Sequence, residues 1–314
     1  MATLSRFPVS ARVSNSAQTQ PIPSRGHCVH FAQKTNVKPM AVLSVDLAYR
    51  RWSNLGVVVL ERKLDLSTEQ ALPPLSGGGV APLRSTIECE ILPLGAPGLG
   101  PEHDEGPVDA EILAGRLNHL SNVRGIRVIM LDGPQAWKSK SNGLEHARVS
   151  ERQLNTAGKT GLPGIVRPVT YRPFTEFCMD VYDALCRRGW RRLATRDRSG
   201  SPQERVLVES YPFAAWKSLG LKPLCSKRRA RVSDLAEAYA ALRALVPFTT
   251  NRPPNHDQLQ AIIGGLPGLD IEEHNTAALR IVGKPPRREE GHWREGFVVL
   301  PLAPQRQAGV RWFN

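Results

Sequence analysis

Three apolar runs of strand length, each closed by an acid, constrain this chain more than any other feature. The first is AVLSVDL, Ala41 to Leu47, with Asp46 near its end. The second is IRVIML, Ile126 to Leu131, which stops at Asp132 before Gly133-Pro134. The third, Val206 to Val208, reaches Glu209. Continuous apolar strands of the second kind belong inside parallel sheets, where both faces are covered. Side by side and parallel, the three would bring their carboxyl ends to one sheet edge, where open α/β sheets form ligand sites.

The flanking periodicities supply partners for such a sheet. Leu55 to Glu61 (LGVVVLE) predicts a hairpin partner for the first run, and Thr86 to Leu92 (TIECEIL) alternates as a half-exposed strand should. Helices are predicted over Val108 to Leu120, around Phe174, Phe177, Val181 and Leu185 up to Gly189, around Ala214, Ala215 and Leu219, and over Leu235, Tyr239, Leu242 and Leu245 as far as Pro247. A last helix opens after Pro253-Pro254 with Leu259, Ile262, Ile263 and Leu266, and Phe297 to Leu300 is a final apolar run. Pro73 to Pro82 and Gly95 to Pro107 read as loops. A long, polar, Gly-rich stretch follows Pro134 to about Thr170 and reads as an insertion with a solvated surface. No internal repeat is present.

Residues 1–39 are rich in Ser, Gln, Pro and Arg, with no acid before Asp46, and read as a disordered basic arm. A transit peptide and a start placed too early, with Met40 as the true one, both account for it. Residues 40–303 form the expected domain and 304–314 a tail. Net charge is +13, so the surface attracts polyanions; basic clusters lie at Arg187, Arg188, Arg191 and Arg192, at Lys227, Arg228, Arg229 and Arg231, and at Lys284, Arg287 and Arg288. A solvated Arg-rich surface accounts for these clusters equally well. No apolar run approaches the ~20 residues of a membrane helix. Five cysteines without a CxxC spacing suggest reduced thiols and a cytoplasmic setting; His27, Cys28 and His30 have no second half-site for a metal.

Three acids converging on one edge repel one another unless a hard cation neutralises them. Oxygen-only ligation suits Mg²⁺ or Mn²⁺, and two such ions ~4 Å apart activate water and stabilise the leaving oxygen of a phosphodiester. Each acid also has a local reading. Asp132 before Gly133-Pro134 suits a turn, and Asp46 suits the hairpin. Glu209 has little local role.

The segments SVDLAYRRWSNLGVVVL, IMLDGPQAW, VESYPFAAWKSLGL, NHDQLQAIIGGL and REGFVVLP, in that order, resemble the uncharacterised family numbered 429 among domains of unknown function. The resemblance spans about Met40 to Pro301, and its Glu-x-Tyr-Pro and His-Asp-x-Leu elements are the more specific parts. It implies a ribonuclease-H-like fold: α/β, a mixed sheet flanked by helices, here with the long polar insertion and the N-terminal arm. The element order fits that fold and a generic α/β order alike. By the resemblance, Asp46, Asp132, Glu209 and Asp257 occupy the family's acidic positions. Many ribonuclease-H-like enzymes carry a second acid three residues after the last of these; this chain has Gln260, which removes a charge from a second metal. At 100° per residue Asp257 lies opposite the stripe of Leu259, Ile262, Ile263 and Leu266, so it reaches a site only over the helix end; in a first turn it also meets the helix dipole.

Lys227, Arg231, Arg152 and Lys159 are the candidate nucleic-acid contacts, His256 a candidate proton carrier, and Trp52, Trp137 and Trp216 candidate stacking surfaces; for each, a solvated charge, a helix entry or plain packing is the alternative. Three functions follow. The first is a Mg²⁺- or Mn²⁺-dependent phosphodiesterase on DNA or RNA using Asp46, Asp132, Glu209 and Asp257 as catalytic metal ligands. The second is a nucleic-acid-binding protein that has lost catalysis. A sugar-kinase or actin-like ATPase comes third, because no glycine follows Asp46 until Gly56 to form a phosphate-cradling hairpin.

Overall fold

The computed structural model describes residues 40–64, 85–93, 106–196 and 204–303. The expected arm at 1–39, the glycine loop at 73–82, most of the loop at 95–107 and the tail at 304–314 lie outside them. The first apolar run is strand β1 (Ala41–Asp46), which forms a hairpin with β2 (Gly56–Leu64), setting Asp46 opposite Gly56. Strand β3 (Ser85–Ile91) adds antiparallel to β2. Helix α1 (Ala110–Arg124) starts where the Asp109 side chain accepts from the Ile112 N–H, and it ends at Gly125 in the left-handed region. Strand β4 (Val128–Asp132) then returns parallel to β1, with Asp132 opposite Asp46.

The polar stretch after β4 is structured, against the expectation of a solvated insertion. It contains helix α2 (Val149–Leu154) and a small hairpin of β5 (Lys159–Thr160) and β6 (Val166–Arg167). Its polarity serves buried partners. The Glu151 carboxylate accepts from the Arg148 N–H at 3.0 Å and from the Thr160 N–H and hydroxyl at 2.9 and 2.5 Å. Glu295 accepts from the N–H groups of Ser139 and Val149, both at 2.9 Å, and from the Asn142 amide at 2.6 Å. Buried polar groups satisfied in this way fix a segment that has little apolar surface of its own.

Helix α3 (Arg172–Arg187) carries Phe177, Val181 and Leu185 inward, and the short β7 (Arg191–Arg192) pairs with β8 (Val206–Ser210), the third acid-terminated run. Helices α4 (Pro212–Ser218) and α5 (Val232–Leu245) follow, then β9 (Phe248–Thr250), α6 (His256–Glu272), β10 (Leu279–Glu289) and β11 (His292–Pro301). The sheet runs β10-β11-β8-β4-β1-β2-β3-β9, with β1, β4, β8 and β11 mutually parallel along that order. The molecule is thus a mixed α/β fold with a central mixed sheet flanked by helices, consistent with the ribonuclease-H-like expectation. Strand β10 carries no apolar period that would announce it. Its Pro285 and Pro286 sit at a register shift on the sheet's edge, a position that needs donors on one side only.

Alternation along the strands divides the core. Val42, Met130 and Val208 face α4 and α6, while Leu43, Val45, Ile129, Leu131 and Leu207 face α1 and α3. Helix α6 is buried almost all round and lies hard against the sheet. A side chain at Gly265 would come within 2.5 Å of Leu60 Cδ1 and 2.7 Å of Ser44 Cβ. The Ser44 hydroxyl donates to the Ala261 carbonyl at 2.7 Å, crossing the same contact. Among the described residues no helix is long and apolar enough to cross a membrane, and Cys89, Cys178, Cys186 and Cys225 are free thiols.

Candidate carboxylate site and its cavity

Parallel pairing of β1 with β4 makes Asp46 and Asp132 direct neighbours at the carboxyl ends of two adjacent strands. The two carboxyl groups face each other closely enough to share a hydrogen bond when one of them is protonated. Burial pushes the Asp46 carboxyl well above the usual range, and repulsion from Asp132 and then Asp257 adds to the shift. Asp132 also moves up, chiefly through burial; its hydrogen bond with Asp46 opposes the rise and the charge of Glu209 adds to it. Two carboxylates so placed must share a proton or a cation.

Asp257 joins them from the first turn of α6. Its peptide rests on Gly56, the cross-strand partner of Asp46, where a side chain would meet the Asp257 carbonyl oxygen at 2.2 Å. The absence of a Cβ at Gly56 therefore sets how close α6 comes to the acid edge. Asp257 is buried in that first turn, and its charge is felt at Asp46. Lys227 pairs with the Asp257 carboxylate and also donates to Asn54 Oδ1 at 2.8 Å. His256 lies between Asp257 Oδ1, 3.1 Å from Nδ1, and the Cys225 carbonyl, 3.0 Å from Nε2. Gln260 is engaged elsewhere: its Oε1 accepts from the Trp216 indole N–H at 2.9 Å. The residue standing where many ribonuclease-H-like enzymes place a second helix acid thus tethers a buried tryptophan.

Glu209 departs from the expected grouping. The register pairs it with Leu131, one residue short of Asp132, so by alternation its side chain leaves the sheet on the other face. There Arg148 grips it with two parallel hydrogen bonds, Nη1 to Oε2 at 2.7 Å and Nη2 to Oε1 at 2.6 Å, and the Gln135 N–H adds a third at 3.1 Å. Burial disfavours the Arg148 charge, but Glu209 and then Glu151 outweigh it and raise the guanidinium above its usual range. Among the described residues no group of three or more His, Cys, Asp or Glu side chains is arranged to hold a metal ion. The four-acid cluster is corrected accordingly: Asp46 and Asp132 are paired, Asp257 stands behind them on Lys227, and Glu209 is occupied by Arg148. Asp46 and Asp132 still suit a hard divalent cation, because Mg²⁺ commonly takes only one or two carboxylates and completes its shell with water and phosphate oxygens.

A cavity of about 560 Å³ opens beside this edge, lined among others by Asp132, Glu209, Arg148, Lys159 and the rings of Tyr49, Tyr171, Phe174 and Tyr211. Of the four candidate basic contacts, Lys227 touches Asp257, and Lys159 lines the cavity with its ammonium 3.2 Å from Thr156 Oγ1. Arg152 is exposed on α2, and Arg231 lines a separate cavity against α5. Of the basic cluster before β8, Arg187 and Arg188 pair with Glu111 at the surface, Arg191 is exposed, and Arg192 is buried on Asp183. Trp52, Trp137 and Trp216 are buried, so none presents a face for stacking. Arg148 and Glu151 carry no signal in the sequence that would mark them as site residues. Glu151 at the third position of a helix is a start signal, but nothing local to Arg148 points to a partner 61 residues away.

No protein-family model and no curated protein matches the chain, so the likeness to the family numbered 429 rests on the quoted segments. Among solved structures, the chain is matched to RuvC from Thermus thermophilus at 12% sequence identity and a TM-score of 0.33, over 78% of this chain and 99% of that one.

Proposed function

We propose that this chain is a ribonuclease-H-like, metal-dependent phosphodiesterase acting on DNA or RNA, with Asp46 and Asp132 as its metal-holding pair. The observation that carries this reading is the in-register placement of those two carboxylates on adjacent parallel strands, each pushed toward protonation. A buried like-charged pair destabilises a fold and persists at sheet edges that need it for a ligand. Mg²⁺ or Mn²⁺, when bound, supplies an activated water and neutralises charge on the phosphate. The chain's own groups do the rest. Asp46 and Asp132 would hold the cation. Asp257, set by α6 and steadied by Lys227 and His256, would orient water near the pair. Glu209 acts indirectly: with Arg148 it locks residues 135–151 against the sheet and so shapes the cavity wall.

Purified protein should cleave nucleic acid with Mg²⁺ or Mn²⁺, and Asp46→Asn should abolish cleavage while leaving the circular dichroism spectrum unchanged. Equal behaviour of the two proteins on single-stranded, duplex and branched substrates would sink the reading. One observation favours a silent nucleic-acid binder instead: Lys227 and Arg148 already neutralise two of the four acids. Titration with divalent ion separates the two, since a binder without catalysis shifts DNA or RNA and cuts neither.

A further inference from the structure

We infer that the cavity beside Asp132 receives one unpaired nucleotide of the bound strand, its base against the rings of Tyr49, Tyr171, Phe174 and Tyr211 and its phosphate toward Arg50 and Lys159. The inference rests on the phosphodiesterase reading and names the class of substrate it acts on.

Size is the first argument. At about 560 Å³ the cavity falls within the ~300–1,000 Å³ that accommodates a single small ligand, and it has no room for a base-paired segment. Its lining is the second. Four aromatic side chains from three separate places converge on it: Tyr49 after β1, Tyr171 and Phe174 at the start of α3, and Tyr211 after β8. Tyr171 keeps 47% of its surface exposed, so its ring is open to a ligand. Aromatic faces suit a nucleobase, because every base offers a π face to stack.

The charges order the ligand. Asp132 lines the cavity beside Glu209, whose charge is taken up by Arg148 in the same lining. Beyond Arg148, the lining carries two further cations. Arg50 is exposed, with its Nε donating to the Tyr49 hydroxyl at 2.8 Å, and Lys159 has its ammonium 3.4 Å from the Glu151 carbonyl. A strand with its base in the cavity therefore carries its backbone past Asp132, where Asp46 is the immediate neighbour. A paired base stays in its stack, so an unpaired position costs least to insert.

The experiment compares two duplexes of the same length carrying 2-aminopurine, one with it in a single-nucleotide bulge and one with it paired, bound to the full chain in EDTA. The bulged form should bind about tenfold tighter, and Tyr171→Ala should erase most of that preference without changing the melting temperature. Adenosine monophosphate should compete with the bulged form. Equal affinity for the two duplexes, or a preference that survives both Tyr171→Ala and Arg50→Ala, overturns the inference and leaves the cavity to a ligand that is not a nucleotide. The two failures are distinguishable. Cleavage that depends on Asp46 but ignores the bulge removes only the cavity's role, whereas cleavage indifferent to Asp46→Asn removes the phosphodiesterase.

Discussion

Asp46 and Asp132 bind protons more tightly in the native chain than in the unfolded one, and the sign of that difference makes them testable without a substrate. Asp132 rises from 3.8 to about 7, chiefly by burial, and Asp46 rises with it. A raised folded-state pKa contributes stability that is complete below the unfolded value and is lost as pH climbs through the folded one. In EDTA, melting temperature should therefore fall between about pH 4 and 7 more steeply for wild type than for Asp46→Asn, as scanning calorimetry would show. Mn²⁺ added near neutral pH should restore what wild type lost and do little for the variant. Arg148 makes the opposite point about Glu209. Both side chains are almost wholly buried, so Arg148→Met strands a carboxylate in the interior and should cost about 3–5 kcal/mol in urea unfolding. Replacing Glu209 by Leu in the same protein should recover most of the loss. A double variant as unstable as the single one would mean that Glu209 is not held chiefly by Arg148.

Helix α6 translates packing into site geometry. Gly265 lets its backbone lie on Leu60 and Ser44, and about two turns earlier the same helix delivers Asp257 to Gly56. Gly265→Ala should push the helix outward, cost about 1–3 kcal/mol, and reduce cleavage further than the lost stability explains, because Asp257 moves with the helix. Unchanged cleavage at full folding would mean that Asp257 has no part in the site. The elements that position the acids are legible in the amino-acid order: β1, β4 and β8 announce themselves as apolar runs, and their parallel order follows from the helices between them. What the order of residues hides is informative. Strand β10 lies behind Pro285, Pro286 and its arginines, since an edge strand tolerates residues that a central one excludes. Residues 135–168 read as solvated because their order comes from buried hydrogen bonds to Glu151, Glu209 and Glu295, which no apolar period reports. Glu209 looks equivalent to Asp132 because both end a strand; a one-residue offset in pairing, invisible in the sequence, sends it to Arg148.

On the scale of the whole molecule, the net charge of +13 is the coarsest feature and also the one a salt titration reads directly. Ion pairs such as Arg62 with Asp270 and Glu273, and Arg192 with Asp183, leave that net figure unchanged but decide which cations a polyanion can reach. Around the acid edge the available cations are few: Arg50 and Arg51 after β1, Lys159 in the cavity and Lys227 on Asp257. If about three of them replace counterions on a single strand, the logarithm of affinity should fall with the logarithm of salt at a slope of about −2, or about twentyfold between roughly 50 and 200 mM KCl. Arg50→Ala should flatten that slope by about 0.7, whereas Arg152→Ala, on exposed α2 outside the cavity lining, should leave it unchanged. A slope several times steeper, indifferent to Arg50, would shift the contact away from the carboxylate edge to the general basic surface, and would separate strand binding from the pair of aspartates that the sheet brings together.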